Sequence, residues 1–342
     1  MRLWDLKMSH SNISFFVPHL GCEHSCAFCN QNTITGASSV PDEKEIFDTC
    51  QKAIDEVSDA SQTEIAFFGG SFTAIDQTLM TRLLQAAQPF TGGGKFKGIR
   101  ISTRPDCINE EILNLLKNYN VTAIELGAQS MSDRVLELNE RGHTAKDVES
   151  SAKLVKKYGF ELGLQVMVGL YGSDKCSERQ TLEHVLKLKP DTARIYPTCV
   201  LEGTKLAQLY RSGEYRLMEI DAVLDICADM LGEFIKNDIK VLRIGLHASE
   251  DVEKNLVAGF YHPALGELVR TRLVRRYAEE HLSGVEKELV IYAGKSMVSA
   301  AVGHQKSNKL YFYDKGINLI VKQDNELSSE QIRIGKDVYK CI

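Results

Sequence analysis

Nothing in the 342 residues approaches the ~18 consecutive apolar positions that a bilayer span needs, so no membrane-crossing helix is expected. The opening stretch, MRLWDLKMSHSN, lacks both an apolar core segment and a small-residue cleavage site. No secretory leader is therefore expected, and the cytoplasm is the expected compartment. Basic residues are not in excess either. Lys and Arg number 41 against 46 Asp and Glu, for a formal charge of -5. That gives no bulk drive toward nucleic acid or anionic lipid, although a local basic patch is not excluded. The chain also lacks an internal repeat, a low-complexity tract and a G-x-G-x-x-G signature. It has no pair of C-x2-C motifs of the kind that hold structural zinc.

What is present is a composition able to bury a core, 43% hydrophobic and 25% charged. Length suggests two domains, or one barrel with an appendage. Short apolar runs alternate with helical patterns: ISFFVPHL (13–20), EIAFFGG (64–70), FKGIRIST (96–103), TAIELGAQ (122–129), ELGLQVMVGL (161–170), TARIYPT (192–198) and IKVLRIGL (239–246). Helices are expected near 76–88, 109–118, 132–139, 144–158, 178–188 and 218–237. Such alternation implies right-handed crossovers and a parallel sheet covered on both faces. The expected fold is α/β, a full or partial (β/α)6 TIM-like barrel over residues 1–284, with a flat doubly wound sheet as the alternative. After residue 284 the pattern becomes that of a small α+β extension, 285–342. There KELVIYA, NKLYFYD and INLIVKQD read as strands around one short helix, KSMVSAAVGH.

The segment GCEHSCAFC places Cys22, Cys26 and Cys29 within eight residues. Thiolates that close in sequence can converge on one inorganic centre, and soft sulfur ligands favour zinc or iron–sulfur clusters. Zinc would need a fourth ligand, for which His19 or His24 is available. Three thiolates on a four-iron cluster would leave one iron without a protein ligand. The remaining cysteines (Cys50, Cys107, Cys176, Cys199, Cys227, Cys341) are scattered singly and read as reduced, buried or inert thiols.

The spacing C-x3-C-x2-C, with the aromatic Phe28 before the last cysteine, resembles the radical S-adenosylmethionine (SAM) superfamily motif. The resemblance implies a radical SAM-type barrel, a [4Fe-4S] cluster on Cys22, Cys26 and Cys29, and S-adenosyl-L-methionine chelated at the open iron. It also implies a backbone contact to adenine around Phe28. Reductive cleavage of the sulfonium to a 5′-deoxyadenosyl radical needs an external one-electron donor of the flavodoxin or ferredoxin type. Gly69 and Gly70 resemble the family's Gly-Gly turn, whose carbonyls hold the methionyl ammonium. Ser71 stands where the family often has Glu. The ordered motifs ISTRPD (101–106), ELGAQS (125–130), RGHT (141–144) and RIYPT (194–198) resemble proteins related to the catalytic subunit of Elongator, a tRNA wobble-uridine modifier. More distantly they resemble oxygen-independent coproporphyrinogen oxidases. The likeness spans roughly residues 12 to 270. By it, Gln129, Arg141 and Gln165 align with positions that contact the cofactor's ribose and carboxylate, where each otherwise would cap a strand or helix. Two departures stand out. Ser102 replaces an acidic residue of the porphyrinogen group, and GLYG (169–172) replaces Gly-Leu-Pro-Gly.

On the substrate side the candidates are Glu125, Tyr196, Arg243, His247, Tyr261 and His262. Tyr196 and His247 are the pair expected to pass a hydrogen atom or proton. The competing reading is packing and loop docking. Arg272, Arg275 and Arg276 share a helical face that would either grip phosphates or form a salt-bridged surface. Roughly sixty C-terminal residues are too few for an acetyltransferase domain, which needs on the order of 100. Acetyl-CoA chemistry of the wobble-uridine type is therefore not expected, and the Elongator-like resemblance leaves a tRNA nucleoside as the favoured substrate class. Porphyrinogen decarboxylation, a non-catalytic heme or cluster carrier and a zinc-stabilised structural barrel are the rivals.

Overall fold

The computed structural model describes residues 11–17, 22, 26–35, 39–247 and 249–342. His19, His24 and the opening stretch 1–10 lie outside the described residues.

Six strands run in chain order as β1 (Ser11–Val17), β2 (Thr63–Gly69), β3 (Ile99–Thr103), β4 (Val121–Gln129), β5 (Glu161–Val168) and β6 (Thr192–Pro197). A short β7 (Cys199–Leu201) follows, then β8 (Lys240–Ile244). β1 to β6 and β8 form one sheet in that order, every pair parallel. β1 and β8 are edges rather than partners, so the barrel is the partial form, its seventh strand being the run IKVLRIGL that follows the six expected units. The central strands are buried nearly end to end, which their continuous apolar runs required.

Crossover helices start where the sequence supplies a cap. Asp42, Asp76, Asn109, Thr144 and Asp174 each accept a hydrogen bond from the first-turn backbone. Such caps stabilise a helix by about 1 kcal/mol each. Thr144 with Asp147, and Asp174 with Ser177, close reciprocal boxes.

The lower interior of the barrel is charged. Arg100, wholly buried, donates from Nε to Glu64 (2.6 Å), reaches Glu125 (3.4 Å) and pairs with Glu161. Arg194 forks onto Glu125 through Nε (2.7 Å) and Nη2 (3.0 Å). Burial alone would raise the Glu125 carboxyl, but Arg194 and Arg100 hold it below its ordinary value. Glu125 is therefore part of the scaffold rather than a substrate-side group.

β9 (Leu256–Gly259) pairs antiparallel with β7. The second sheet comprises β10 (Glu288–Ala293), β11 (Asn318–Gln323), β12 (Gln331–Ile334) and β13 (Asp337–Lys340), in the order β11-β10-β12-β13. Helix Leu265–Glu279 joins it to the barrel. Its Val269, Leu273 and Val274 share one apolar core with Phe234 on the barrel side and Ile291 and Phe312 on the other. NKLYFYD, expected as a strand, is the helix Ser307–Asp314. The reason is Asn308, fully buried, whose amide donates to the carbonyls of Thr271 (3.1 Å), Ala300 (3.1 Å) and Ala301 (3.3 Å). One helical turn later Phe312 enters the core. β12 and β13, which the alternation did not single out, complete the sheet.

The arginine face of helix Leu265–Glu279 takes its salt-bridged form. Arg272 pairs with Asp221 and Asp225, and Arg276 with Asp225 and Asp229. Arg275 lies over the Tyr311 ring at 4.2 Å and donates to Asn308. No described helix is long and apolar enough to cross a membrane.

Candidate active site

A cavity of about 340 Å³ opens among the C-terminal strand ends. That size lies within the range of small-molecule sites, about 300–1,000 Å³. Cys22, Cys26, Phe28 and Cys29 form part of its wall. Gly69, Gly70 and Ser71 follow at the end of β2, Gln129 at the end of β4 and Arg141 beyond it. Gln165, Tyr196 and His247 close the far side. The residues singled out as metal-binding, cofactor-binding or catalytic thus meet in one space.

The cysteine turn is pinned from three sides. Cys29 N–H donates to the Cys26 carbonyl (3.0 Å), Ala27 N–H to Asn139 (3.0 Å), and Leu206 N–H to Ala27 (2.7 Å). Arg141, buried, donates from Nη1 to Cys26 Sγ (3.0 Å) and from Nη2 to the Gly127 carbonyl (2.7 Å). Its guanidinium carbon stands 5.9 Å from the Phe28 ring centre. Gln31 donates to the Gly69 carbonyl (2.8 Å) and lies 3.9 Å from Cys22 Sγ. Burial, reinforced by the neighbouring Cys26 and Cys22, pushes the Cys29 thiol up to about 12. Metal binding there must expel a proton. Among the described residues no three ligand-type side chains converge as they would on a single ion. A cube takes each thiolate on a different iron and does not need that convergence.

Two glycines are explained by close approach. Gly69 has φ +110°, and a Cβ there would meet the Val17 carbonyl oxygen at 2.9 Å. Gly70 N–H donates to that same oxygen (2.8 Å). A Cβ on Gly127 would stand 3.0 Å from Gln129 Nε2 and 3.3 Å from Arg141 Nη2, so its absence makes room for both polar groups. Gln129 itself sits at φ +62°, an uncommon left-handed conformation for a non-glycine, at the strand end.

Across the cavity, Gln165 donates its amide to Glu125 (2.8 Å). Arg194 lies 4.9 Å from the Phe68 ring centre. Burial, outweighing the Arg194 guanidinium, raises the Tyr196 phenol. His247 is pushed down to about 4 by burial and by repulsion from Arg243 and Arg194, leaving it neutral at pH 7. Arg243, Tyr261 and His262 are not on the cavity wall. Arg243 donates to the carbonyls of Gly245 (3.0 Å) and Leu246 (3.3 Å). The Tyr261 hydroxyl accepts from Ser249 N–H (3.0 Å), and His262 Nδ1 accepts from Ala264 N–H (3.0 Å). These three hold loops.

Sequence reading missed Gln31, Arg104, Arg194 and Cys199, all on the wall. Arg104 and Arg194 lay within STRPD and RIYPT, so the motif signal existed without a role for the residue. Cys199 was assigned to packing and is indeed buried, but it faces this space.

Three buried polar atoms here have no partner among the described residues: Arg104 Nη1, Arg141 Nε and Gln129 Oε1. Leaving such an atom unpaired costs about 1–3 kcal/mol. Two donors and one acceptor are therefore available to a polar ligand, beside a soft-sulfur donor set. Together they fit an iron–sulfur cluster with a zwitterionic organic cofactor.

Residues 16–185 match the family model described as the radical SAM superfamily, and residues 190–275 match that of the radical SAM C-terminal domain. The chain is 30% identical over 184 residues to the tRNA uridine(34) acetyltransferase of Methanocaldococcus jannaschii, covering 53% of this chain and 32% of that one. It is 32% identical over 181 residues to Elongator complex protein 3 of Homo sapiens, covering 52% and 32%. It spans about a third of the length of these curated relatives. The archaeal Methanocaldococcus infernus Elp3, solved without residues 1–46, superposes with a TM-score of 0.62 at 19% identity. That superposition covers 96% of this chain and 74% of the other, and it establishes a shared fold.

Proposed function

The chain belongs to the radical SAM superfamily, and from that premise we propose that it is an enzyme that abstracts hydrogen from a nucleoside of tRNA. Cys22, Cys26 and Cys29 would hold a [4Fe-4S] cluster. When bound, the cluster supplies the electron that splits S-adenosylmethionine into methionine and a 5′-deoxyadenosyl radical. Support for the chemistry comes from one observation above all. The three cysteines share a cavity with buried donors and an acceptor that no described residue satisfies. Support for the substrate class comes from the likeness to a tRNA uridine(34) acetyltransferase and to Elongator complex protein 3.

The chain's own residues divide the remaining work. Arg141 places positive charge on Cys26 Sγ and so stabilises added electron density there. Gln31 fixes the Gly69 carbonyl at the edge of the Gly-Gly turn. Gln129 offers an acceptor to a hydroxyl or ammonium donor. The Gln165 amide nitrogen is engaged by Glu125, so its carbonyl oxygen is the end left to face a ligand. Phe16, Phe68, Leu201 and Leu246 give the cavity apolar walls that limit water. Tyr196, protonated at neutral pH, is the candidate hydrogen donor on the substrate side. His247, neutral there, can accept a hydrogen bond but cannot act as a cationic acid.

The test is anaerobic reconstitution with iron and sulfide, then dithionite and S-adenosylmethionine. Formation of 5′-deoxyadenosine by the wild type and not by Cys26→Ala is the expected result. Equal traces from both would overturn the chemistry. Nucleoside mass spectrometry of tRNA from a deletion strain tests the substrate. An unchanged nucleoside profile would remove tRNA from the reading.

A further inference from the structure

Arg104 stands at the end of β3, held in place on two of its three nitrogens. Nε donates to Asp106 Oδ1 (3.0 Å) and Nη2 to Oδ2 (2.5 Å). The turn beneath is braced by Cys107 N–H donating to the Arg104 carbonyl (3.2 Å) and by Thr73 Oγ1 donating to the Cys107 carbonyl (2.7 Å). The residue is 5% exposed and lies on the cavity wall. Its Nη1 is buried and has no partner among the described residues. A forked carboxylate on one edge and a bare nitrogen on the other is a pre-oriented donor, not a packing residue that happens to carry charge.

Two further facts say what the donor is for. Arg141 already spends Nη1 on Cys26 and Nη2 on Gly127, leaving Nε as its unpartnered nitrogen. Both arginines line the same cavity. Two unpaired guanidinium nitrogens beside one acceptor suit a ligand end that carries a carboxylate and a donor group together. An amino acid moiety has that pairing.

Resting on the proposed radical SAM chemistry, we infer that Arg104 is a cofactor-binding residue whose Nη1 takes the methionyl carboxylate of S-adenosylmethionine, shared with Arg141. It goes beyond the motif-based assignment, which aligned Gln129, Arg141 and Gln165 with positions contacting the cofactor's ribose and carboxylate and gave Arg104 no role.

The test measures equilibrium binding to the anaerobically reconstituted holoprotein, with S-adenosylmethionine and its decarboxylated analogue as the two probes. Arg104→Gln keeps the side-chain length and loses the charged fork. It should weaken S-adenosylmethionine on the order of tenfold or more, the size of one charge-assisted hydrogen bond. The analogue, which has no carboxylate, should bind wild type and variant alike. Equal weakening of both probes would mean that Arg104 only shapes the wall, and no weakening of either would mean that it meets no ligand. Both results overturn the inference. So would an altered electron paramagnetic resonance spectrum of the reduced cluster without cofactor, if cofactor affinity stayed the same, since the guanidinium would then face the cluster. Should Arg104→Gln fold poorly, Arg104→Lys keeps the charge beside Asp106 and is expected to show a smaller loss confined to S-adenosylmethionine. A wild type that binds neither cluster nor probe would instead sink the parent reading.

Discussion

Arg141 Nη1 lies 3.0 Å from Cys26 Sγ across 115 positions of sequence, and the same guanidinium is anchored by the Gly127 carbonyl at 2.7 Å. A cation fixed on one of the proposed cluster ligands favours the more negative, reduced form of whatever that sulfur binds. Arg141→Met should therefore lower the cluster's reduction potential by tens of millivolts, where about 59 mV corresponds to a tenfold change for one electron. Potentiometric titration of the reconstituted protein reads this directly. An unchanged potential with full iron content would remove the electrostatic role.

Gly127 sets the spacing of the same wall. Its missing Cβ would press on Gln129 Nε2 at 3.0 Å and Arg141 Nη2 at 3.3 Å. Gly127→Ala is expected to cost roughly 1–3 kcal/mol of stability by overpacking. It should also weaken S-adenosylmethionine binding by more than the stability change explains. Thermal denaturation alongside binding separates the two effects.

Glu178 is 3% exposed, accepts from Gly169 N–H (2.8 Å), and burial pushes its carboxyl from an ordinary 4.5 up to about 7. A raised carboxyl favours folding below pH 4.5, where both states are protonated. Its contribution is lost as pH climbs through 4.5 toward 7, because the folded state must then hold a proton or bury a charge. The loss amounts to roughly 3 kcal/mol at about 1.4 kcal/mol per pH unit. Glu178→Gln keeps the acceptor for Gly169 and should melt several degrees higher than wild type at pH 8, with the difference shrinking near pH 4.5. A constant difference across that range would contradict the buried, protonated carboxyl.

Glu125 behaves in the opposite sense. Arg194 and Arg100 hold it below its ordinary 4.5 despite burial, so the stability it supplies is present above that pH and fades as acid reaches its folded value. Glu125→Leu strands the buried Arg194 guanidinium, while Arg100 keeps Glu64 and Glu161, and it should destabilise by about 3–5 kcal/mol. Chemical denaturation at pH 7 checks the magnitude. A loss under 1 kcal/mol would show that the network is solvated.

The paired arginines of helix Leu265–Glu279 lead to a negative expectation. Arg272 and Arg276 face Asp221, Asp225 and Asp229. Replacing both with Gln should leave tRNA retention on filters unchanged. A clear drop in salt-sensitive binding would restore a phosphate role to that face.

Cysteine spacing, strand–helix alternation and helix caps depend on residues a few positions apart, and these were legible in the sequence. The triplet at 22, 26 and 29, the Gly-Gly turn after β2 and the capped crossovers over 43–188 all belong to that class. NKLYFYD was misread because its apolar residues suit strand and helix equally, and a distant carbonyl set around Asn308 chose the helix. Only the folded barrel could show that Glu125 belongs to Arg194 and Arg100, that Arg141 reaches Cys26, and that Arg104 keeps one nitrogen bare. Those facts rest on which buried charges find partners once strands far apart in sequence become neighbours, and the cost of leaving one unpaired is paid only inside a low-dielectric core.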